Sequence, residues 1–202
     1  MQEVSVVIPN FNGMAYLDGV LSSLERQTIR NFEVILVDNG STDGSCAFVS
    51  AEYPWIHMIQ LPENYGFSRA VNEGIRAARS PYVLLLNNDT EAEPDFLEEM
   101  VAALRRHKKA FSCQAKMIQL HDRDKMDDAG NYYCALGWAF ARGKGKDISH
   151  YDREQKIFST CAGAAIYRKK FIDRIGDFDE EHFAYLEDLD IGYRARICGY
   201  QN

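Results

Sequence analysis

Acidic and amide side chains in this sequence stand where apolar runs stop, and carboxylates in such positions can bind cations or move protons. Asn87–Asp89 follow the aliphatic run Leu84–Leu86, and Asp38 follows a second apolar run. Glu187 and Asp188 form an acid pair far downstream. Acids that follow a strand can hold the metal of a metal-bound phosphate leaving group. An acid pair at the start of a helix can act as a general base. Taken alone, Asn87–Asp89 also suits a turn and a helix cap, because Asn and Asp are common there.

Four apolar runs alternate with segments whose apolar residues recur at helical spacing. The runs are Val4–Ile8, Phe32–Val37, Ile56–Leu61 and Leu84–Leu86. This alternation predicts a mostly parallel sheet with right-handed crossovers, flanked by helices in an α/β fold. Parallel strands end at a common edge, where α/β folds bind ligands. We therefore expect Asp38 and Asp89 to lie on the same edge of one sheet.

The second half of the chain has a weaker pattern. After a helix predicted around Phe96–Arg106, apolar residues indicate two further strands, a final helix and polar loops between them. The strands are predicted over Phe111–Leu120 and Phe158–Tyr167, the loops over His121–Gly130 and Gly143–Asp147, and the helix over about Glu187–Cys198 with Gly199 as its C-cap.

Composition excludes several classes of protein. With 202 residues, 46% of them hydrophobic, the chain predicts one domain with a well-filled core. The net charge of −7 argues against nucleic-acid binding, which usually needs a basic face. Five scattered cysteines without a Cys-x-x-Cys pair suggest neither a disulfide framework nor a zinc site, and they fit a reducing cytoplasm.

Two features bear on membranes and on cofactors. We expect a soluble chain, because the sequence contains no signal-peptide pattern and no apolar run of about 20 residues. The basic run Arg105–Lys109 fits a solvated helix end, and peripheral contact with an anionic membrane is the alternative. The glycine fingerprints of dinucleotide oxidoreductases and P-loop enzymes are missing. A nucleotidyltransferase shares the strand-loop-helix plan, but the sequence lacks a Gly-rich, basic phosphate loop after the first strand.

Six motifs in order resemble glycosyltransferase family 2, with the rhamnosyltransferase-like members most similar in pattern. They are Val4–Gly13, Val37–Gly44, Asn64–Gly74, Leu85–Thr90, Gly176–Glu180 and Tyr185–Asp190. The resemblance implies a single domain of GT-A fold, a Rossmann-like nucleotide-binding architecture. Its nucleotide-sugar half would span about residues 1–90 and its acceptor half about residues 91–202. Relatives continue past Tyr200, so we expect this chain to be truncated at its C-terminus relative to the family.

The resemblance also implies an activity. It is the inverting transfer of a sugar from a UDP- or dTDP-sugar donor to a glycan or lipid-linked acceptor in cell-envelope polysaccharide synthesis. We expect the protein to act in the cytoplasm. Action at the inner face of the membrane is the alternative. A nucleotide-sugar-binding module with weak catalysis is the alternative, because only one acid remains in the metal motif and the chain ends early.

Donor-binding residues follow from the matched motifs. A carboxylate at Asp38 can accept a hydrogen bond from the imide N–H of uracil or thymine. Arg69 can meet the diphosphate charge, although a surface ion pair explains it equally well. The small pair Gly163 and Ala164 lies near donor and acceptor in the family, with close packing as the alternative. The residues carried over as nucleotide-sugar ligands are Pro9, Asn10, Asp38, Asn64, Arg69, Asn72, Asn88, Gly163 and Ala164.

The metal and the base follow in the same way. Asn87–Asp89 matches the Asp-x-Asp motif of the family with its first acid replaced by an amide, so Asp89 would bind Mg²⁺ or Mn²⁺ largely with the help of the substrate. Asp188 matches the general base that deprotonates the acceptor hydroxyl, and Glu187 would orient Asp188 or the acceptor. Acids at a helix start are also what the helix dipole favours, so a structural role is the alternative.

Overall fold

Strands and helices alternate through the first half of the chain, as its apolar runs predict. In the computed structural model, which describes residues 2–202, the strands are β1 (Val4–Asn10), β2 (Phe32–Asn39), β3 (His57–Leu61) and β4 (Tyr82–Leu86). The helices that follow them are α1 (Met14–Glu25), α2 (Ser45–Glu52), α3 (Phe67–Ala77) and α4 (Phe96–Arg106). All four strands pair in parallel, in the spatial order β3-β2-β1-β4. The prediction of a parallel sheet is confirmed.

The second half extends this sheet and adds two small ones. Its elements are β5 (Ser112–Gln114), β6 (Met117–Ile118), β7 (Met126–Asp128), β8 (Asn131–Tyr133), β9 (Ala139–Ala141), a 3₁₀ turn (Ile148–Tyr151), β10 (Ala164–Arg168), α5 (Lys169–Ile175) and α6 (Glu187–Ile197). β10 pairs antiparallel with β4 and with β5, which completes the six-stranded order β3-β2-β1-β4-β10-β5. β6 pairs with β7, and β8 pairs with β9.

Helices cover both faces of the central sheet, which explains why its inner strands are mostly apolar. On β1, Val6 packs in a buried cluster with α1 residues such as Leu21. Its neighbour Val7 belongs to a second cluster with α3 residues such as Val71. Successive side chains of a strand point to opposite faces, so a strand covered on both sides reads as a continuous apolar run. The predicted α/β class with a mostly parallel, helix-flanked sheet is confirmed.

The single strand predicted over Phe111–Leu120 is wrong. The chain leaves the main sheet after Gln114, and Met117–Ile118 pair with β7 instead. At this point the Gln114 side chain hydrogen-bonds to Asp128 and to the backbone of Cys161. The loop predicted over His121–Gly130 consequently contains β7.

The strand predicted over Phe158–Tyr167 begins only at Ala164. The residues before it cross beneath α6, where Phe158 N–H donates to Asn131 O at 3.0 Å. This passage is tight, since a Cβ on Gly192 would lie 2.3 Å from Ser159 Cβ. Sequence periodicity also missed the β8–β9 hairpin and α5, which are too short to show a period.

The predicted final helix is α6, and its end has the expected glycine cap. Gly199 has φ of 84°, and Tyr200 N–H donates to Ala195 O at 3.0 Å. This bond and the left-handed glycine form a Schellman C-cap. In the described part of the chain, every helix is too short or too polar to span a bilayer.

Candidate functional site

Three strand ends meet at one edge of the sheet, and Asn10 joins them. Asn10 is buried at the end of β1. Its Nδ2 donates to Asp38 Oδ1 at 2.9 Å, and its Oδ1 accepts from Asn88 Nδ2 at 2.8 Å. Gly13 leaves room for this pair, because a Cβ there would lie 2.3 Å from Asn10 Oδ1. Asp38 and the 87–89 stretch therefore share an edge, as the topology predicts.

Asp38 is held as a charged hydrogen-bond acceptor. Ser41 N–H donates to Asp38 Oδ2 at 2.9 Å, within the turn that leads to α2. Burial raises the pKa of Asp38, but hydrogen bonds from Ser41, Asn10 and Cys46 outweigh burial and bring that pKa below its ordinary value. The protein's own donors therefore hold Asp38 as an ionised acceptor that is almost fully buried at the end of β2.

Asn39 links the end of β2 to the loop before α3, and the sequence reasoning missed it. Its Nδ2 donates to Asn64 Oδ1 at 2.9 Å, and its Oδ1 accepts from Tyr65 N–H at 3.0 Å. Asn64 itself is exposed beside this strand end. Pro9 is half-buried in β1, opposite Val37 of β2. An amide adjoining Asp38 at a strand end was the available signal for Asn39.

The two predicted donor ligands on α3 bind another loop of the protein. Asn72 is fully buried, and it both accepts from Phe178 N–H at 3.0 Å and donates to Phe178 O at 2.8 Å. Arg69 is exposed and forms ion pairs with Glu73 and Glu180, each at 3.2 Å. The structure therefore brings neither side chain to the Asn10–Asp38 pair.

The segment before α6 lies against the start of α3. Phe67 N–H donates to Phe183 O at 2.6 Å, and a Cβ on Gly66 would lie 2.4 Å from that oxygen. Tyr185 and Leu186 then have φ of 71° and 70°, a left-handed conformation that strains side-chain-bearing residues. This left-handed reversal leads directly into α6 and its acid pair, next to the start of α3.

Glu187 and Asp188 occupy the first turn of α6 in a desolvated environment. Glu187 is buried, and its Oε2 has no hydrogen-bond partner within residues 2–202. Burial, followed by the charge of Asp188, raises the pKa of Glu187 to about 7. Burial also raises the pKa of Asp188, against the effect of hydrogen bonds from the N–H groups of Leu189 and Ala162 and from the side chain of Asn131.

Asp128 is a third buried acid near this pair, and no sequence motif pointed to it. Its Oδ1 accepts from Gln114 Nε2 and from Gly130 N–H, each at 2.6 Å. Burial raises the pKa of Asp128, and its charge in turn raises the pKa of Asp188. One of four acids in the polar run 121–130 gave no sequence signal, because its burial depends on contacts with β5.

The turn before β10 lies between the 87–89 stretch and the acid pair. Gly163 O accepts from Asn87 N–H at 2.9 Å, and the N–H of the preceding Ala162 lowers the pKa of Asp188. A Cβ on Gly163 would lie 3.3 Å from Asn87 Nδ2 and 3.2 Å from the Met117 side chain. Both predicted small residues are buried, and Ala164 pairs with Leu86 at the end of β4.

Asp89 is exposed and is the sole acid of the 87–89 stretch. Across residues 2–202 no three His, Cys, Asp or Glu side chains cluster closely enough to hold a metal ion. An exposed carboxylate is nevertheless the hard oxygen ligand that Mg²⁺ and Mn²⁺ prefer. The residues fit an ion held by one protein carboxylate and completed by oxygens of water and of a bound diphosphate.

The structure has two cavities of similar volume, and they differ in whether predicted site residues line them. One of about 750 Å³ opens beside Asn87 and Asp89 and extends to Met117 on β6. The other, of about 680 Å³, runs along β5 and is lined by none of the predicted site residues. The first cavity therefore borders Asn87, Asp89 and Ala164, whereas the Asn10–Asp38 pair and the acid pair lie outside its lining.

The family model and the curated relatives of this chain agree on one family. A family model described as "Glycosyl transferase family 2" matches residues 5–176. Among curated proteins, the chain is similar to an N-acetylglucosaminyl-diphospho-decaprenol L-rhamnosyltransferase from Mycobacterium tuberculosis. The two are 26% identical over 218 residues, which cover 96% of this chain and 71% of that protein.

Solved structures share the fold. Staphylococcus aureus TarS 1-349 in complex with UDP-GlcNAc matches with a TM-score of 0.70 and 23% identity, over 96% of this chain and 53% of that one. The mannosyltransferase PcManGT from Pyrobaculum calidifontis, in complex with GDP-Man and Mn²⁺, matches with a TM-score of 0.71 and 17% identity, over 98% and 53%. The chain thus spans about half the length of these solved structures.

Proposed function

The chain belongs to glycosyl transferase family 2, and from that premise we propose that it transfers a sugar from a nucleotide-diphosphate sugar to an acceptor hydroxyl with inversion. One observation carries this proposal. Gly163 O, in the turn before β10, accepts from Asn87 N–H at 2.9 Å in the metal motif, and the N–H of the adjoining Ala162 lowers the pKa of Asp188, so this turn lies beside both. Inversion needs the leaving group and the base on opposite sides of the anomeric carbon, and this short segment spaces them.

The donor would bind at the edge where β1 and β2 end. Asp38 is ionised and oriented by Asn10, so it can accept from the imide N–H of a uracil or thymine base. Pro9 and Asn64 border that edge, and Asn88 fixes Asn10. The solved relatives that carry UDP-GlcNAc and GDP-Man support a nucleotide-sugar donor, and we propose a UDP- or dTDP-sugar.

Arg69 and Asn72 have a different role in this proposal. Asn72 holds the 178–180 loop, and Arg69 is neutralised by Glu73 and Glu180. Asn72 would therefore support the donor site from beneath rather than touch the donor. Arg69 would reach a diphosphate only by exchanging its carboxylate partners.

Mg²⁺ or Mn²⁺ would be held at Asp89. When bound, the ion would neutralise negative charge on the departing nucleoside diphosphate. A Mn²⁺ complex among the solved relatives supports this choice of metal. Asp89 is the sole acid of its motif, so the protein supplies one anchoring carboxylate and leaves most ligand positions to the donor.

Asp188 would act as the general base. Its carboxylate takes the proton of the acceptor hydroxyl as that oxygen attacks the anomeric carbon, and the bond from that carbon to the diphosphate oxygen breaks. Burial, followed by the charge of Asp128, raises the pKa of Asp188 and with it the basicity of its carboxylate. Glu187, with a pKa near the working pH, can donate a hydrogen bond from its protonated oxygen and so orient Asp188 or the acceptor.

The acceptor would be a glycan or a lipid-linked saccharide in cell-envelope polysaccharide synthesis. The name of the mycobacterial relative, which acts on a decaprenol-linked sugar, supports this class. We place the reaction in the cytoplasm at the inner face of the membrane. In one GT-A domain, residues 1–90 would serve the donor and residues 91–202 the acceptor.

Calorimetric titration tests the donor proposal. UDP-, dTDP- and GDP-sugars are titrated into the protein with and without Mn²⁺. We expect one uridine or thymidine class to bind, more tightly with the metal. Absence of binding by every nucleotide sugar would contradict the proposal.

A binding module with weak catalysis is the second candidate, favoured by the single carboxylate of the metal motif. Release of nucleoside diphosphate, measured with the tightest donor and a lipid-linked saccharide as acceptor, separates the two. The enzyme releases it in repeated turnovers, whereas the module binds the donor and leaves it intact.

A further inference from the structure

The side chain of Gln114 is hydrogen-bonded at both ends of its amide. Gln114 ends β5, at one edge of the central sheet, and is half-buried. Its Nε2 donates to Asp128 Oδ1, and its Oε1 accepts from Cys161 N–H, each at 2.6 Å. A hydrogen bond to an ionised carboxylate is stronger than one between neutral groups. Gln114 thus joins β7 to the turn before β10 through a single side chain.

On the β7 side, the amide holds a buried carboxylate. Gly130 N–H donates to the same Oδ1 of Asp128 at 2.6 Å. The backbone at Gly130 is closely packed, because a Cβ there would lie 2.6 Å from Ile157 Cγ2. Burial raises the pKa of Asp128, and the hydrogen bonds from Gln114 and Gly130 act against burial. Gln114 therefore favours a negative charge on Asp128, and that charge raises the pKa of Asp188.

On the other side, the amide holds the turn at Cys161–Gly163. Gly163 O accepts from Asn87 N–H at 2.9 Å, so the turn is bonded to the 87–89 stretch as well as to Gln114. Packing leaves the turn little room, since a Cβ on Gly163 would lie 3.3 Å from Asn87 Nδ2 and 3.6 Å from Cys161 Sγ. A shift of Cys161 would therefore be passed on to Asn87.

Only an amide side chain satisfies both partners of Gln114. The ionised carboxylate of Asp128 can only accept a hydrogen bond, and the backbone N–H of Cys161 can only donate one. A carboxamide donates and accepts at once. A glutamate of the same length would accept from Cys161 but would bring a second negative charge to Asp128, and a leucine would form neither bond. Glutamine is therefore matched to its two partners in polarity as well as in length.

We propose that Gln114 is a positioning residue, which holds the Asp128 carboxylate and the turn at Cys161–Gly163 in one fixed arrangement. That turn lies beside Asn87 on one side and Asp188 on the other. Gln114 thereby sets how the base faces the metal motif. The effect on sugar transfer rests on the proposed function, whereas the arrangement of the turn does not.

Exchanging the amide and the carboxylate tests this proposal. Q114E breaks the bridge by placing a carboxylate against Asp128. Q114E/D128N restores the bridge, because the amide introduced at position 128 can donate to the carboxylate at position 114 and still accept from Gly130 N–H. Q114L removes both bonds without adding charge. Q155E is the matched control, since Gln155 is exposed and its Oε1 accepts only from Arg142. Thermal melting checks that each variant folds.

Alkylation of Cys161 by iodoacetamide measures the position of the turn without any need for activity. Burial raises the pKa of the Cys161 thiol to about 12, so the thiol should react slowly in wild-type protein. We expect Cys161 to react about tenfold faster in Q114E and Q114L, because a freed turn exposes the thiol and enlarges its thiolate fraction. Q114E/D128N and Q155E should react at the wild-type rate. Mass spectrometry of peptides resolves the site, with Cys46, which lies beside Asp38, as the internal reference.

Release of nucleoside diphosphate, with Mn²⁺ and a lipid-linked saccharide as acceptor, measures the effect on transfer. At saturating donor we expect release to slow by about tenfold in Q114E and Q114L, while calorimetric donor affinity stays within about threefold of wild type. Q114E/D128N should recover to the release rate of D128N. A role in stability alone would lower the melting temperature and leave release at saturating donor unchanged.

Three outcomes would overturn the positioning role. They are wild-type alkylation of Cys161 in Q114L, no recovery in Q114E/D128N, and release that is unchanged in both single variants of Gln114. Wild-type protein that releases no nucleoside diphosphate would count against the proposed function instead. Alkylation of Cys161 would then decide the arrangement of the turn by itself.

Discussion

Replacing Asn10 by Asp should destabilise the protein sharply, because it places a second carboxylate against Asp38. The two side chains are 2.9 Å apart between Asn10 Nδ2 and Asp38 Oδ1. Two charges about 4 Å apart repel by about 4 kcal/mol at an effective dielectric constant of about 20. Protonating one ordinary carboxyl at pH 7 costs about 4 kcal/mol as well, so either route lowers the free energy of unfolding by about that amount.

The penalty should shrink with acid. The pair raises the folded-state pKa of one carboxyl above its unfolded value of about 4, so the variant regains stability as the pH falls. Protonation costs only about 1.4 kcal/mol at pH 5 by the same arithmetic. Urea unfolding at pH 7 and pH 5 measures the difference from wild type. N12D is the control, because Asn12 is exposed and its Oδ1 only accepts, from Thr42 N–H. A loss of unfolding free energy below about 1 kcal/mol at pH 7, or one that does not shrink at pH 5, would refute the inference that Asn10 joins the strand ends through Asp38 and Asn88.

Three further substitutions separate the roles assigned to the site. N72A leaves Phe178 N–H and C=O unpaired, so unfolding free energy should fall by about 2–4 kcal/mol while calorimetric donor affinity changes little. A tenfold loss of donor affinity with unchanged stability would instead make Asn72 a donor ligand. D128N keeps both hydrogen bonds of the side chain but removes its charge. The pKa of Asp188 should therefore fall, and the acidic limb of the pH profile for nucleotide release should move to lower pH, with D127N as the neighbouring control. D89A should abolish the gain in donor affinity from Mn²⁺ and leave metal-free binding unchanged; a persisting gain would place the ion elsewhere.

The sequence was sufficient to predict the parallel sheet and the edge at which its strands end in polar residues. Long apolar runs such as Phe32–Val37 are typical of strands covered on both faces, and Asp38 at the end of one run predicted a ligand-facing edge. Asn10, Asp38 and Asn88 do meet there, because parallel strands end together and their polar ends must pair when buried.

The acceptor half could not be predicted in the same way. Its strands have two to five residues, too few for a period, and their pairing depends on single contacts such as Gln114 with Asp128. Asn72 shows a second limit. Its motif suggested the donor, but its partner is Phe178, which is brought to α3 only by the complete fold. Asp128 is likewise a site residue only because tertiary packing buries it.

The central claim is that Asp188 removes the acceptor proton while the strand ends hold the donor. Its most direct test is D188N, with donor affinity measured by calorimetry and nucleoside diphosphate release measured on the same preparation. We predict donor affinity within about threefold of wild type and release slowed by about 100-fold or more, the usual contribution of a general base. Release at the wild-type rate would contradict the account.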